Sequence, residues 1–356
     1  MSGLTRIERG GLIAVAVLTA LAGVARYVSG TPEIVAFIIA GLALGGGAWI
    51  ISFATEEVGA SLGVAATGML QSTIGNLPEF FVVLFALQAG ELIVAQTAIL
   101  GSILVNALLV LGTAIVVGAR RQPDGLMRFS PRLPNDTATL LLVASFLIVL
   151  VGLAGAAHDS ASRHITTISI IGAGLLLAVY GVWAHQFLTT PQAADDDDGE
   201  SEGARLSRGA ALTLLIIAGA AAGFVSDWFV HALEPTIRSL HISQAFAGLV
   251  IVAIAGNAIE HVVGVVLAAR GRSELAISVI KSSVGQVAAF LFPVLVLVSL
   301  LTSTTLTFAL PPVFTGALAA TALIMWQITG DGEASAFEGA ALIGAFVVIA
   351  TVAAFE

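Results

Sequence analysis

Long apolar runs, cut at intervals by charges and by Gly/Pro clusters, dominate the chain. Crossing a bilayer takes about 20 apolar residues. On that criterion the segmentation predicts eleven spans, at 11–28, 33–52, 56–88, 91–118, 137–156, 166–189, 208–230, 243–269, 273–301, 307–329 and 336–355. A polar stretch, 190–207, separates the first six from the last five. Setting the first span aside leaves five and five, and two odd-numbered halves enter the membrane in opposite directions, as in inverted-repeat transporters. The pattern therefore predicts an all-α polytopic membrane protein. Its parts are an extra N-terminal helix (1–32), a first repeat half (33–189), an acidic linker (190–207) and a second repeat half (208–356). The polar start, Ser2 to Arg9, lacks a small-residue cleavage site and reads as the lead-in to a retained helix.

Polar residues inside the apolar runs are more informative than the runs. Gly75-Asn76-Leu77-Pro78-Glu79 and Gly256-Asn257-Ala258-Ile259-Glu260 each put a carboxylate deep in a predicted span, 181 residues apart (79 to 260). An intramembrane carboxylate is expensive and marks a functional position by default. The same displacement superposes Gly75 on Gly256, Asn76 on Asn257 and Ser102 on Ser283, while Asn106 and Gln286 fall one residue out of register. Each half thus offers a helix interrupted at Gly-Asn, followed by a helix bearing Ser and a carboxamide. Interrupted helices free backbone carbonyls, which are tolerated where they line a polar cavity. Pro78 suits the first turn of a restarting helix. A hard cation such as calcium takes six to eight oxygens, and two carboxylates supply up to four of them. The expected cation site is therefore Glu79 and Glu260 with Asn76, Asn257, Ser102, Asn106, Ser283 and Gln286. Against this stands the plainer reading of an intramembrane Glu as protonated helix glue, and of each Ser as a packing residue bonded to its own backbone. Gly101 and Gly285 read as points of close helix packing.

Composition narrows the class. Hydrophobic residues make up 58% of the chain, charged residues 10%, and the mean hydropathy is +1.02. The net charge of −9 sits largely in Asp195–Glu202, and no basic patch offers a nucleic-acid surface. With no cysteine, thiol and disulfide chemistry are excluded. No His pair has metal-ligand spacing, and no cofactor is expected. Lys/Arg bias sets orientation. With the N-terminus cytoplasmic, ten arginines (Arg6, Arg9, Arg120, Arg121, Arg128, Arg132, Arg205, Arg208, Arg270, Arg272) fall inside and three (Arg26, Arg163, Arg238) outside, which also puts the C-terminus outside.

Two blocks, Ser72–Gly112 around GNLPE and Phe246–Val296 around GNAIEH and KSSVGQ, resemble the calcium/cation antiporter superfamily and within it the cation/proton exchanger family. Asp331-Gly332-Glu333 with Phe337-Glu338-Gly339-Ala340 resembles the start of that family's last helix. The resemblance covers most of the chain after about residue 40. It implies the inverted-repeat antiporter fold and an exchange of cations, calcium above all, for protons. It places the cation-ligand role on Glu79 and Glu260, the motif asparagines at Asn76 and Asn257, and the motif histidine at His261. The implied setting is a lipid bilayer, with which a homo-oligomer is compatible; the lack of an organelle-targeting signal and the chain's compactness point to the plasma membrane of a prokaryote.

Three departures from that pattern bear on ion choice: Leu77-Pro78 beside Glu79, Ala253 where proline is common, and Lys281 before Ser282-Ser283. Lys281 lies about eight residues, roughly 12 Å at 1.5 Å per residue, inside its span. Either it snorkels to the interface, or its ammonium reaches Glu79 or Glu260 and competes with a cation. The second case favours a sodium or potassium/proton antiporter on the same fold. His261 either hydrogen-bonds within the bundle or carries protons, since imidazole changes charge near neutrality. The acidic run reads as a solvated loop, with calcium sensing as the sharper alternative. A channel would need a continuous polar stripe or filter loop, and an enzyme a nucleophile with its base; neither pattern is present.

Overall fold

The computed structural model describes residues 4–28, 30–59, 69–70, 73–189 and 205–356. The acidic run Asp195–Glu202 and part of the predicted span 56–88 lie outside them. The described residues are overwhelmingly helical: α1 (Arg6–Tyr27), α2 (Glu33–Gly59), α3 (Leu77–Gln88), α4 (Leu92–Ala119), α5 (Arg132–Ala157), α6 (Ile165–Thr189), α7 (Arg208–Leu240), α8 (Gln244–Ala258 continued by Glu260–Ala269), α9 (Ser273–Leu301), α10 (Pro312–Thr329) and α11 (Ala336–Phe355). Among the described residues nine helices are long and apolar enough to cross a membrane, and ten if the bent α8 counts as one span.

Several ends differ from those expected. α1 begins at Arg6 because Thr5 and Glu8 form a reciprocal capping box. α2 does not stop at residue 52 but runs through its acidic last turn to Gly59. Glu57 is buried there and accepts the backbone N–H of Leu206 at 2.7 Å, so its charge does not break the helix. α7 continues ten residues past 230, through Pro235, to a left-handed cap at His241. α10 starts only at Pro312, since the Pro311-Pro312 pair suits a helix start and not an interior. A short antiparallel ribbon pairs Leu126–Arg128 with Glu333–Ser335, an element the helical periodicity did not predict. Ser335 then caps α11 with Glu338.

Contacts divide the chain into two compact units, Met1–Phe85 with Val182–His241, and Ala86–Gly181 with Ile242–Glu356. The first is built on α1, α2 and α7, which pack on one another. One end of it is tied by the Arg205–Glu8 ion pair and by an apolar cluster of Leu4, Phe53, Val58, Leu206 and Ala211. In the second unit α4 is the central rod: most of it is buried, against α8 on one side and α11 on another. The repeat is visible inside this unit. Displaced by 181 residues, the start of α4 at Leu92 falls on the start of α9 at Ser273. Both helices widen to π geometry at matching places, Val105–Val110 and Val287–Leu291.

Glycine sets the closest approach in the second unit. A Cβ on Gly101 of α4 would lie 2.2 Å from the Leu249 carbonyl oxygen, and one on Gly248 would lie 2.0 Å from Thr97 Oγ1. The two backbones touch because neither glycine has a side chain, the small-residue packing that membrane helices use. Gly285 is looser, with Thr137 3.5 Å from such a Cβ. Gly101→Ala is therefore expected to destabilise the protein by about 1–3 kcal/mol, the usual range for overpacking. Gly174→Ala, where a Cβ meets nothing within 4 Å, should leave the melting temperature unchanged. Thermal unfolding of both variants in detergent is the check, and equal melting would refute the interlock.

Candidate functional site

Each motif glutamate sits where its helix changes course. In the first unit Asn76 is a turn residue between Gly75 and the start of α3, and it is 3% exposed. Its carbonyl accepts Phe80 N–H at 3.0 Å, and its side-chain Oδ1 is buried without a hydrogen-bond partner among the described residues. Pro78 and Glu79 fall in the first turn of α3, where a missing N–H costs nothing and a carboxylate meets the positive end of the helix dipole. Glu79 is buried at 8% exposure. The Ser226 hydroxyl of α7 donates to the Pro78 carbonyl at 3.4 Å, holding the restart in place.

In the second unit the interruption differs from the expected one. α8 stays helical through Gly256-Asn257 and bends by 68° between Ala258 and Glu260. A π segment, Ala247–Val252, precedes the bend. No proline stands there to open the backbone, so the axis turns instead of breaking.

Five of the expected ligands in this unit join by hydrogen bonds. Ser283 Oγ donates to Glu260 Oε2 at 2.5 Å and accepts from Asn106 Nδ2 at 3.2 Å. Asn257 Nδ2 donates to Ser102 Oγ at 2.9 Å and to the Ala253 carbonyl at 3.3 Å. Gln286, one turn beyond Ser283 and 1% exposed, has its Oε1 buried without a partner among the described residues. Ser283 therefore serves the carboxylate, and not its own helix backbone as Thr97 and Thr113 do. The amide donors of Asn106 and Asn257 point into the protein. That leaves oxygen as the atom these side chains can offer a ligand, the chemistry a hard cation needs. Among the described residues no three His, Cys, Asp or Glu side chains cluster. A cation here would draw on hydroxyl, amide and backbone oxygens besides carboxylate.

His261 Nε2 is buried and has no hydrogen-bond partner among the described residues. Lys281, the chain's only lysine, neither snorkels nor turns to the glutamate of its own unit. Its side chain is 0% exposed, which rules out snorkelling. Its Nζ donates to Thr329 Oγ1 at 2.5 Å, at the C-terminal end of α10. Two residues separate Lys281 from Ser283, about 200° around a helix, so the ammonium points away from the side that carries Glu260. A helix C-terminus suits a cation, and Thr329 itself donates onward to the Met325 carbonyl. Neither Thr329 nor Glu57 stood out in the sequence. A threonine ending an apolar helix and a second acid beside Glu56 carry no local signal, and only packing reveals what they hold.

Residues 32–188 and 210–355 match the family described as sodium/calcium exchanger protein. A vacuolar calcium ion transporter of Schizosaccharomyces pombe is 30% identical over 322 residues, 88% of this chain and 77% of the relative. The Ca(2+)/H(+) antiporter ChaA of Bacillus subtilis is 31% identical over 304 residues, 83% of this chain and 85% of the relative. Among solved structures, native YfkE superposes with a TM-score of 0.80 at 24% identity, over 97% of this chain and 100% of that one. The H+/Ca2+ exchanger CAX superposes at 0.79 with 18% identity, over 98% and 93%. These two share the fold of this chain.

The Lys281–Thr329 contact can be tested directly. Thr329→Val should cost about 1–3 kcal/mol of stability, the penalty for a buried donor left without its partner. Thr329→Ser should be neutral. Lys281→Met with Thr329→Val should recover much of the loss, because replacing both partners of a buried polar pair is often tolerated. Melting temperatures of the three variants decide it, and a silent Thr329→Val would refute the contact.

Proposed function

The chain belongs to the sodium/calcium exchanger protein family, and from that premise we propose that it is a secondary active antiporter exchanging calcium for protons, as relatives named above are described as doing. The observation that carries this reading is the direction of the hydrogen bonds around Glu260: a serine hydroxyl holds the carboxylate, and the neighbouring amides turn their N–H groups away. Such a set offers oxygens to a cation.

In the proposed cycle Glu79 and Glu260 are the cation ligands, on the strength of their matched motifs. Asn76, Asn257, Ser102, Asn106, Ser283 and Gln286 orient them or add oxygens. Two bare carboxylates in an apolar interior are too costly to carry across alone. Either a divalent cation or protons must neutralise them, so movement in one direction requires the counter-ion in the other. His261, next to Glu260, is proposed as a proton carrier to and from the site. Sodium or potassium exchange is the alternative if Lys281 reaches Glu79 or Glu260; its ammonium bonds Thr329 and not Glu260, and relatives described as Ca(2+)/H(+) antiporters favour calcium. The proposed setting is a membrane crossed with the N-terminus cytoplasmic, from the arginine bias.

Glu79→Gln and Glu260→Gln are each expected to abolish calcium flux into vesicles under an imposed pH gradient while leaving the protein folded. Near wild-type flux in either would remove that glutamate from the mechanism. Ser283→Ala should lower apparent calcium affinity more than Ser102→Ala. Ser283 serves a carboxylate, worth about 1.5–3 kcal/mol or roughly 10- to 100-fold, against about 0.5–1.5 kcal/mol for the neutral bond at Ser102. Flux titrations with calcium, sodium, potassium and manganese measure both points, and the reverse order of the serines would overturn the ranking.

A further inference from the structure

Between the end of α9 at Leu301 and the start of α10 at Pro312 the chain is neither helix nor strand, yet it is packed into the second unit. Leu306 and Phe308 are 0% exposed, and the Phe308 ring meets that of Phe292 edge-on with centroids 4.8 Å apart. Backbone buried outside a helix must find its hydrogen bonds among side chains. Ser299 of α9 accepts the Leu306 N–H at 2.9 Å, and Ser169 of α6 accepts the Phe308 N–H at 3.1 Å. A Cβ on Gly155 of α5 would come within 3.9 Å of the Ala309 Cβ, so the segment also lies against that helix. It is thereby a fixed strap, held by α6 and α9 independently of α4.

A buried side chain of α4 bonds to this strap. Gln96 is 7% exposed, and its Nε2 donates to the Ala309 carbonyl at 3.2 Å. The cation cycle proposed above makes no use of it. Its counterpart under the displacement of 181 residues is the apolar Ile277, so the repeat itself does not call for an amide here. From Leu92 to Leu104 α4 is a regular α-helix, buried from Val94 onward. Such a rod transmits a rotation along its length. Its contact with α8, at Gly101 and Thr97, fixes how close the two backbones come and how far one slides along the other. Gly101 and Gly248 carry no side chain that would resist a roll of α4 about its own axis. Gln96 lies 100° round the helix from Thr97 and ties that second side to the strap. Ser102 follows six residues on, about 9 Å along the axis, and accepts from Asn257 at 2.9 Å. At a radius of about 5 Å, a roll of about 12° would displace its hydroxyl by about 1 Å and take that bond out of range. We propose that Gln96 is a positioning residue for cation binding: its bond to the Ala309 carbonyl sets the roll of α4, and so the places of Ser102 and, beyond it, Asn106. The inference rests on the cation-exchange reading, in which those side chains serve the ion.

The test uses the full chain reconstituted in vesicles, with calcium uptake titrated under an imposed pH gradient. Gln96→Leu should raise KM about three- to tenfold, the factor one neutral hydrogen bond is worth, with an unchanged maximal rate. Gln96→Asn, one methylene too short to reach Ala309, should do the same and serves if the leucine variant does not fold. Gln96→Glu is the rescue: at about pH 5.5 a buried carboxyl holds its proton and can donate to a carbonyl, so its KM should match wild type at that pH. A side chain needed only for stability would lower the melting temperature of Gln96→Leu and leave KM alone. A second readout makes no assumption about the transported ion. The chain has no cysteine, so Ser102→Cys puts a single thiol on α4. Adding Gln96→Leu should change its rate of reaction with a small thiol reagent by about threefold or more. Lack of calcium uptake by the wild type would count against the cation-exchange reading, whereas an unchanged thiol rate would overturn the positioning role. Unchanged KM in Gln96→Leu and Gln96→Asn, or a Gln96→Glu variant no better than Gln96→Leu at the acid pH, would overturn it as well.

Discussion

A serine hydroxyl has one proton to give, and in the second unit Ser283 gives it to Glu260. The rest of that polar cluster follows from this choice. With its proton committed, Ser283 can only accept from Asn106, so Asn106 must present its nitrogen there. Asn257, one turn before Glu260, commits its own nitrogen to Ser102 and Ala253. In an apolar interior each such bond is close to compulsory, because a polar group left bare there is costly. The outcome is a directional arrangement, with amide N–H groups of Asn106 and Asn257 turned onto serine oxygens and the Ser283 hydroxyl turned onto Glu260.

Much of this was legible before any coordinates. The Gly-Asn…Glu motifs and the Ser and carboxamide positions could be read from a single displacement of 181 residues, and within the second unit the expected ligands other than the half-buried Glu260 are buried, with Glu260, Ser283 and Asn106 joined in one hydrogen-bonded group and Asn257 and Ser102 in another. The one-residue slip between Asn106 and Gln286 persists in the fold: Asn106 lies inside its π segment, Gln286 just before the corresponding one. Other features were out of reach. The bend in α8 comes after Ala258, with neither Gly256 nor a proline at the turn itself. Periodicity could not find the strand ribbon, whose halves are some two hundred residues apart and three residues long. The continuation of α2 through Glu56-Glu57 depends on a backbone N–H more than a hundred residues away.

Lys281 illustrates how tertiary placement settles a choice that sequence leaves open. Position along the helix suggested either the interface or the glutamates, and rotation around the helix excludes the glutamate of its own unit. A buried amine next to a helix C-terminus meets carbonyl dipoles of the favourable sign, so the charge is accommodated by α10 and not by Glu260. The same helix thus carries two separate polar contacts on different faces, Lys281 to Thr329 and Ser283 to Glu260.

The contact between Gly101 and Leu249 has a mechanical meaning as well. With Gly248 seated on Thr97 just beside it, α4 and α8 mesh in both directions, and sliding one along the other would drive backbone into backbone. Close-packed interiors do not deform continuously. α4, with Ser102 and Asn106, and the first part of α8, with Asn257, are therefore held as a single piece, like teeth of one gear, while Glu260 lies past the 68° bend that ends the meshed part.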